Sequence, residues 1–339
     1  MPHEIGSEFP WDPRWLSAEH DTWLPDRHQL FATACGALHA VVRLLRPRGR
    51  MHFPSYFCTG VAAALIEDIP IAWYRHLPDD QGPRLDTLQA RDGDLVVAQN
   101  LFGRETGAPW RPWIEAHPGV IVIEDHSHDP LSEWARHSTA AYAVASLRKT
   151  LPLPDGGLLW SPRGRRLPAP SGPPGPGSDL KLAAMLLKAA GLPHETFRPL
   201  QQQGEQTLLC SVAPPSALTA AALPLMDVAG LRDRSTASAR TLAGLLPAET
   251  PEWELLPTGP APFRVQLLCR SEPIRDALQK HLAQQQIYAP VHWRQDRTAF
   301  WSGDEEAATL AARMLTLPAD HRCDPADLQR LADAGARLS

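Results

Sequence analysis

The chain has 339 residues, enough for one large domain or two that share an interface, and its 43% apolar content suits a sizeable buried core. A net charge of −5 without a basic stripe argues against a nucleic-acid surface. No apolar run approaches the roughly 18 residues of a membrane span, and the opening "MPHEIGSEFPWDPRW" lacks a charged-then-apolar leader, so a cytoplasmic location is expected.

Residues 1–27 read as an N-terminal segment, whose aromatics in "EFPWDPRW" could close over a neighbouring subunit's site. "FATACGALHAVVRLL" reads as a loop entering a helix, with Leu38, Val41, Val42 and Leu45 at helical spacing. "MHFPSYF" follows as a short strand and turn, and "CTGVAAALIED" as a second helix. The runs "IPIAWY", "DLVVAQ", "VIVIE" and "AYAVASL" read as buried strands of a parallel sheet covered on both faces. Strands separated by helices predict an α/β, mostly parallel, doubly wound large domain over 28–234. "SPRGRRLPAPSGPPGPGSD" (161–179) is a Pro- and Gly-rich surface excursion. Helices resume with "LKLAAMLLKAAG" and "ALTAAALPLMDVAGLRDRSTASARTLAGLL". From about 235 to 339, "FRVQLLC", "EPIRDALQKHLAQQQ" and "IYAPVHW" predict a smaller C-terminal α+β domain. Five scattered cysteines, Cys35, Cys58, Cys210, Cys269 and Cys323, show no paired spacing, so neither a disulfide framework nor a zinc site is expected.

Lysine is scarce. Of 33 basic side chains only Lys149, Lys181, Lys188 and Lys280 are lysine. An amine can lose its proton where a guanidinium cannot, and Lys149 directly follows the apolar run "AYAVASL". Three predicted strands end in polar residues: "DLVVAQ" at Asn100, "VIVIE" at "DHSHD", and "AYAVASL" at Arg148 and Lys149. In open α/β sheets ligands bind at the carboxyl ends of the strands, so an acid, histidines and a lysine would gather on one edge. A partly dry lysine near another cation can attack a carbonyl. An aspartate after a strand can keep a heteroaromatic nitrogen protonated. The helix start Ala34-Cys35-Gly36-Ala37 offers N–H groups to a phosphate. Together these requirements describe pyridoxal 5′-phosphate. A metal reading of His126, His128 and Asp129 lacks further ligands, so no metal site is expected.

These segments resemble the DegT/DnrJ group of aminotransferases, within the aspartate-aminotransferase-like, fold type I pyridoxal phosphate enzymes. "VIEDHSHD" resembles V-I-E-D-A-A-Q, which implies Asp125 as partner of the pyridinium nitrogen, with His128 in place of the usual Gln and His126 also near the cofactor. "SLRKTLPLPDGG" resembles S-x-x-K…G-G, which implies Lys149 as the Schiff-base lysine and Ser146 at the phosphate. "ACGALHAVV" resembles G-T-A-A-L-H, placing Cys35 and Gly36 at the phosphate, though Ala34-Cys35 replaces Gly-Thr. "FPSYFCTGVAAAL" resembles the P-S-x-T segment that stacks on the ring, through Tyr56 or Phe57. "NLFG", "IYAPVHW" and "LPADHR" match further landmarks, with Arg294, Arg322 and His292 as candidates to bind substrate. The G-x-N-x-R stretch of the sugar aminotransferases is replaced by "EQTLLCSVAPPSALTAA", which puts a nucleotide-sugar substrate in doubt. The resemblance implies a homodimer that passes an amino group from an amino acid, Glu or Gln by analogy, to a small carbonyl acceptor. A lyase, decarboxylase or C–C bond-forming reaction on the same cofactor stays open, as does a non-catalytic binding role.

Overall fold

A computed structural model of the chain describes residues 3–17, 22–79, 81–259, 261 and 263–336. In chain order the strands are β1 (Ile5–Gly6), β2 (His28–Phe31), β3 (Met51–Pro54), β4 (Ile71–Tyr74), β5 (Leu95–Gln99) and β6 (Ile121–Asp125). They continue with β7 (Tyr142–Ser146), β8 (Gly157–Trp160), β9 (Trp253–Leu255), β10 (Val265–Cys269), β11 (Ile287–Tyr288) and β12 (Met314–Leu317).

Seven of them form the central sheet, in the spatial order β2-β8-β7-β6-β5-β3-β4. The four predicted runs and "MHFPSYF" supply its parallel part, β3 to β7. β8 runs antiparallel to both β7 and β2. Neither β2 nor β8 was expected. "HQLF" meets the segment read as a loop only at Phe31, and "GLLW" begins on the glycine pair that reads as a turn. Their hydrogen bonds come from partners far along the chain, which local pattern does not register.

Helix α1 (Ala34–Leu45) packs on one face of this sheet. Thr33 caps it, its Oγ accepting the Gly36 N–H at 3.0 Å. Arg46 ends it in the left-handed region, with φ +46°. Ala37, Leu38, Val41 and Val42 bury the predicted stripe against Phe31, Phe53, Ile123 and Val144. Burying each large side chain there contributes roughly 1.5–3 kcal/mol. The other face of the sheet buries Val96, Val122, Trp110 and Trp134.

The C-terminal part carries its own antiparallel sheet, in the order β12-β10-β9, over a core that includes Trp253, Val265, Leu267, Leu278, Leu315 and Leu331. The expected boundary near 234 falls inside one helix, Val228–Leu245. Val228 and Leu231 pack on the large core, Ala239 and Leu242 on the small one. The N-terminal segment is tied to both parts. β1 pairs in parallel with β11, while Lys188 Nζ on the helix Pro176–Ala189 grips Glu4 at 2.5 Å and the Gly6 carbonyl at 2.8 Å. Lys181 on the same helix pairs with Glu8 at 2.6 Å. Two of the four lysines are therefore buried anchors with carboxylate partners.

Candidate active site

Strand alternation decides which polar residues meet. On β6, Ile123 faces α1 and Val122 the opposite core, so Asp125 falls on the α1 side and Glu124 on the other. Val144 of β7 also faces α1, which places Ser146 on the same side as Asp125. The loop after β6 returns Ser127, whose hydroxyl accepts the Ser146 N–H at 2.9 Å and whose own N–H reaches Asp125 Oδ1 at 2.9 Å. Asp125 Oδ2 has no hydrogen bond among the described residues.

Lys149 lies in the single turn Leu147–Lys149 that follows β7. Unlike Lys181 and Lys188 it forms no salt bridge among the described residues. Its Nζ is 3.5 Å from His128 Nε2 and 5.3 Å from the centre of the Trp293 ring. Burial lowers its pKa, and Asp125 is the largest influence pulling it back up. The amine is thus easier to deprotonate than an ordinary lysine.

His128 is fixed by its surroundings. Its Nδ1 accepts the Phe102 N–H at 3.0 Å, so in the neutral ring Nε2 carries the hydrogen and points it at Lys149. Phe263 stacks on it at 4.5 Å and Trp293 at 5.6 Å. Burial drives its pKa well down, helped by the charges of Lys149 and Arg264, so the imidazole stays neutral. His292 is half-buried in the same aromatic wall, its Nδ1 2.9 Å from Thr316 Oγ; loss of solvent, then Arg264, hold it neutral too.

Several expected site residues take other positions. His126 is on the Glu124 side of the sheet, bonded to Glu124 at 3.0 Å and packed against Trp160 and Trp134, because two residues along a strand share a face. The Cys35 thiol is turned to Cys210 Sγ at 2.6 Å, and the Gly36 N–H is taken by its cap. A Cβ on Gly36 would lie 1.8 Å from the Ser211 carbonyl, so glycine is needed there for a chain crossing. What this helix end still offers is the Ala34 and Cys35 N–H groups, which have no acceptor among the described residues. Tyr56 and Phe57 are core side chains, the Tyr56 hydroxyl donating to the His292 carbonyl. Both rings pack against Trp293, which in turn approaches the lysine. Arg294 is 56% exposed and paired with Asp276. Arg322 forks onto Asp320 at 2.7 and 2.8 Å and donates to the Gly6 and Glu8 carbonyls, holding the N-terminal segment in place.

The pocket that opens at Lys149 is a cavity of about 50 Å³. His128, Phe263 and Arg264 line it, with Phe9, Leu151 and Val228 as apolar wall. Sequence reasoning missed Trp293, Phe102, Phe263 and Arg264. Phe102 lies within the flagged "NLFG" and Trp293 beside the flagged His292, while nothing local distinguishes Arg264 in an arginine-rich chain. Among the described residues no group of three or more His, Cys, Asp or Glu could hold a metal ion, and no helix is long and apolar enough to cross a membrane.

This architecture, a parallel α/β sheet with the lysine beyond β7 and a smaller α+β part packed over it, is the aspartate-aminotransferase-like fold. The solved structures similar to it bear this out. Streptococcus pneumoniae Spr1654, provisionally designated a sugar aminotransferase, matches in its PMP form with a TM-score of 0.69 and 12% identity, over 98% of this chain and 97% of that one. The aminotransferase TlmJ from Streptoalloteichus hindustanus matches with a TM-score of 0.64 and 16% identity, over 91% and 84%. DesV from S. venezuelae, solved with a ketimine intermediate, matches with a TM-score of 0.65 and 16% identity, over 93% and 86%. No family model matches the chain, and no curated protein does.

Proposed function

We propose that the chain is a pyridoxal 5′-phosphate-dependent aminotransferase, moving an amino group from an amino acid to a small carbonyl compound, with Lys149 as its catalytic residue. The observation that carries this reading is the half-buried Lys149 amine, without a salt bridge among the described residues and within electrostatic reach of Asp125. The residues present fit the cofactor. Among the described residues Asp125 keeps one carboxylate oxygen open for a protonated ring nitrogen, the Ser146 hydroxyl has no hydrogen bond, and the first turn of α1 has two N–H groups for a phosphate. When bound, pyridoxal phosphate supplies an aldehyde and an electron-accepting ring that stabilises negative charge at a substrate's α-carbon.

The chain's own residues do the rest. Asp125 would hold the ring nitrogen protonated and so keep the ring electron-poor. His128, neutral and with its Nε2–H toward Lys149, would donate to an oxygen of the cofactor. Trp293 and Phe263 exclude water beside Lys149. Lys149, as a neutral amine beside the pocket, would move the α-proton of the substrate. Several structural relatives are named sugar aminotransferases. Here, however, the segment standing for G-x-N-x-R crosses its own chain's α1, through Leu209, Cys210 and Ser211. A small carbonyl acceptor is accordingly preferred to a nucleotide sugar. The proposal includes a homodimer and a cytoplasmic location.

The test is spectroscopic. Purified protein given pyridoxal phosphate should gain a visible absorption band, and an amino-acid donor alone should bleach it stoichiometrically. A band that never forms, or that persists with every donor, would sink the reading.

A further inference from the structure

Two of the five cysteines touch. Cys35 Sγ lies 2.6 Å from Cys210 Sγ, although 175 residues separate them in the chain. Cys35 stands in the first turn of α1, and Cys210 in the turn that follows the helix His194–Leu208. Backbone contacts hold that turn against α1 from both sides. Thr33 Oγ donates to the Leu209 carbonyl at 3.3 Å, the Ser211 N–H to the Leu208 carbonyl at 2.9 Å, and the Ala32 N–H to the Ala213 carbonyl at 2.8 Å. The fold itself therefore brings the two sulfurs together.

The two thiols are not equivalent. Cys35 is 6% exposed and donates its proton to Cys210; that bond, then burial, pushes its pKa up. Cys210 is half-buried, so solvent and small solutes reach it. Accepting the bond from Cys35 lowers its pKa against the effect of burial, and the charge of Arg43 adds to the lowering. A second neighbour of Cys210 is His39, one turn further along α1, whose Nδ1 is 3.9 Å from the sulfur. His39 Nε2 is bonded to Asp68, which Arg43 also approaches at 3.7 Å. With the Nε2 hydrogen given to Asp68, Nδ1 of the neutral ring is bare and can take the Cys210 proton. A thiol, an imidazole base and a carboxylate that orients the base are the parts that activate a sulfur nucleophile. The Lys149 chemistry uses none of them.

We propose that Cys210 and Cys35 form a peroxide-reactive dithiol, with Cys210 as the attacking sulfur and Cys35 as the resolving one. Cys210 passes its proton to His39, and the thiolate attacks one oxygen of hydrogen peroxide. The O–O bond breaks, leaving a sulfenic acid on Cys210, and the departing hydroxide takes the proton from His39 and leaves as water. Cys35 then attacks the Cys210 sulfur, the S–O bond breaks, and the hydroxyl leaves as a second water with the Cys35 proton. In sum, two thiols and one peroxide give one disulfide and two waters; the sulfurs are oxidised and the peroxide oxygens reduced. Shortening the contact to the ~2.05 Å of a disulfide takes about half an ångström of movement. The product staples the 209–212 crossing to the helix end that offers N–H groups for a phosphate. A small thiol reverses the bond by exchange, so in a reducing compartment the pair works as a switch.

The test exposes the full chain, reduced and then freed of reductant, to one equivalent of hydrogen peroxide, and maps the cysteines by mass spectrometry. Cys58 and Cys323 are half-buried like Cys210 and serve as internal controls. The expected product is a linked Cys35–Cys210 peptide, with Cys58 and Cys323 still reduced, and dithiothreitol should restore both thiols. The linked protein should melt roughly 5 °C higher than the reduced one, because the bond closes a long loop. Cys35→Ser should stop at a sulfenic acid on Cys210, captured by dimedone, and Cys210→Ser should leave Cys35 reduced. His39→Gln should reach the same disulfide but consume peroxide at least about 10-fold more slowly, since it lacks the base. A melting transition seen by tryptophan fluorescence shows that each variant is folded. Failure of the link to form in wild type, or oxidation of Cys58 or Cys323 ahead of Cys210, overturns the assignment. A wild-type rate in His39→Gln overturns it equally, because Cys210 would then be an ordinary thiol.

Discussion

Glu205→Gln tests the electrostatics that surround the lysine. Glu205 lies between Arg148 and Lys181 and accepts hydrogen bonds from both. Burial pushes its carboxyl up, but Arg148 and Lys181 outweigh that and hold it at about 2. Against an ordinary value near ~4.3, that is about 2.3 units, or roughly 3 kcal/mol at ~1.36 kcal/mol per unit. The side chain keeps 35% of its surface in water, which reduces the figure to about 2 kcal/mol. The pKa is depressed in the folded state, so this contribution is complete above the ordinary carboxylate range. It is lost as pH falls from there toward about 2. Urea unfolding of wild type and Glu205→Gln, followed by tryptophan fluorescence, should therefore show a difference of about 2 kcal/mol near pH 7, shrinking by roughly 40% near pH 3.5. A second readout concerns Lys149, whose pKa Glu205 helps to hold up. The variant should form the cofactor band at lower pH than wild type. A stability difference that stays constant or grows as the pH falls would refute the reasoning.

Formation of the visible band should itself depend on pH. Burial lowers the Lys149 pKa, so the neutral amine persists to lower pH and the midpoint of cofactor uptake should lie below the ~10.4 of an unperturbed lysine; a midpoint at or above that value contradicts the site description. Gly36→Ala should destabilise the protein by about 1–3 kcal/mol in thermal or urea unfolding, since its Cβ would meet the Ser211 carbonyl. A neutral outcome would mean that the crossing of 209–212 over α1 is misplaced. Asp125→Asn should leave folding nearly intact, because Ser127 can still donate to an amide oxygen, but should slow donor-dependent bleaching of the band by at least about 100-fold. Unchanged bleaching would remove Asp125 from the mechanism.

The sequence foretold the parallel part of the sheet well, because buried strands such as "DLVVAQ" and "VIVIE" are short, β-branched and bounded by turns. Their polar ends foretold that Asp125 and Lys149 lie near each other, because a parallel sheet brings those ends to one edge. What was not legible depends on contacts made at long range. His126 and His128 look alike in "DHSHD", yet pleating sends His126 to Glu124 and the loop sends His128 to Lys149. Lys181 and Lys149 are equally rare, yet the ion pair from Lys181 to Glu8, far along the chain, marks it as an anchor. Arg264 and Trp293 come from the small domain, whose placement over the lysine no local pattern encodes.

The most direct measurement is chemical. Protein incubated with pyridoxal phosphate, reduced with borohydride and digested should carry a single pyridoxyl group on the peptide containing Lys149, and Lys149→Ala should carry none. Label on Lys181, Lys188 or Lys280 with Lys149 unmodified would contradict the account at its centre.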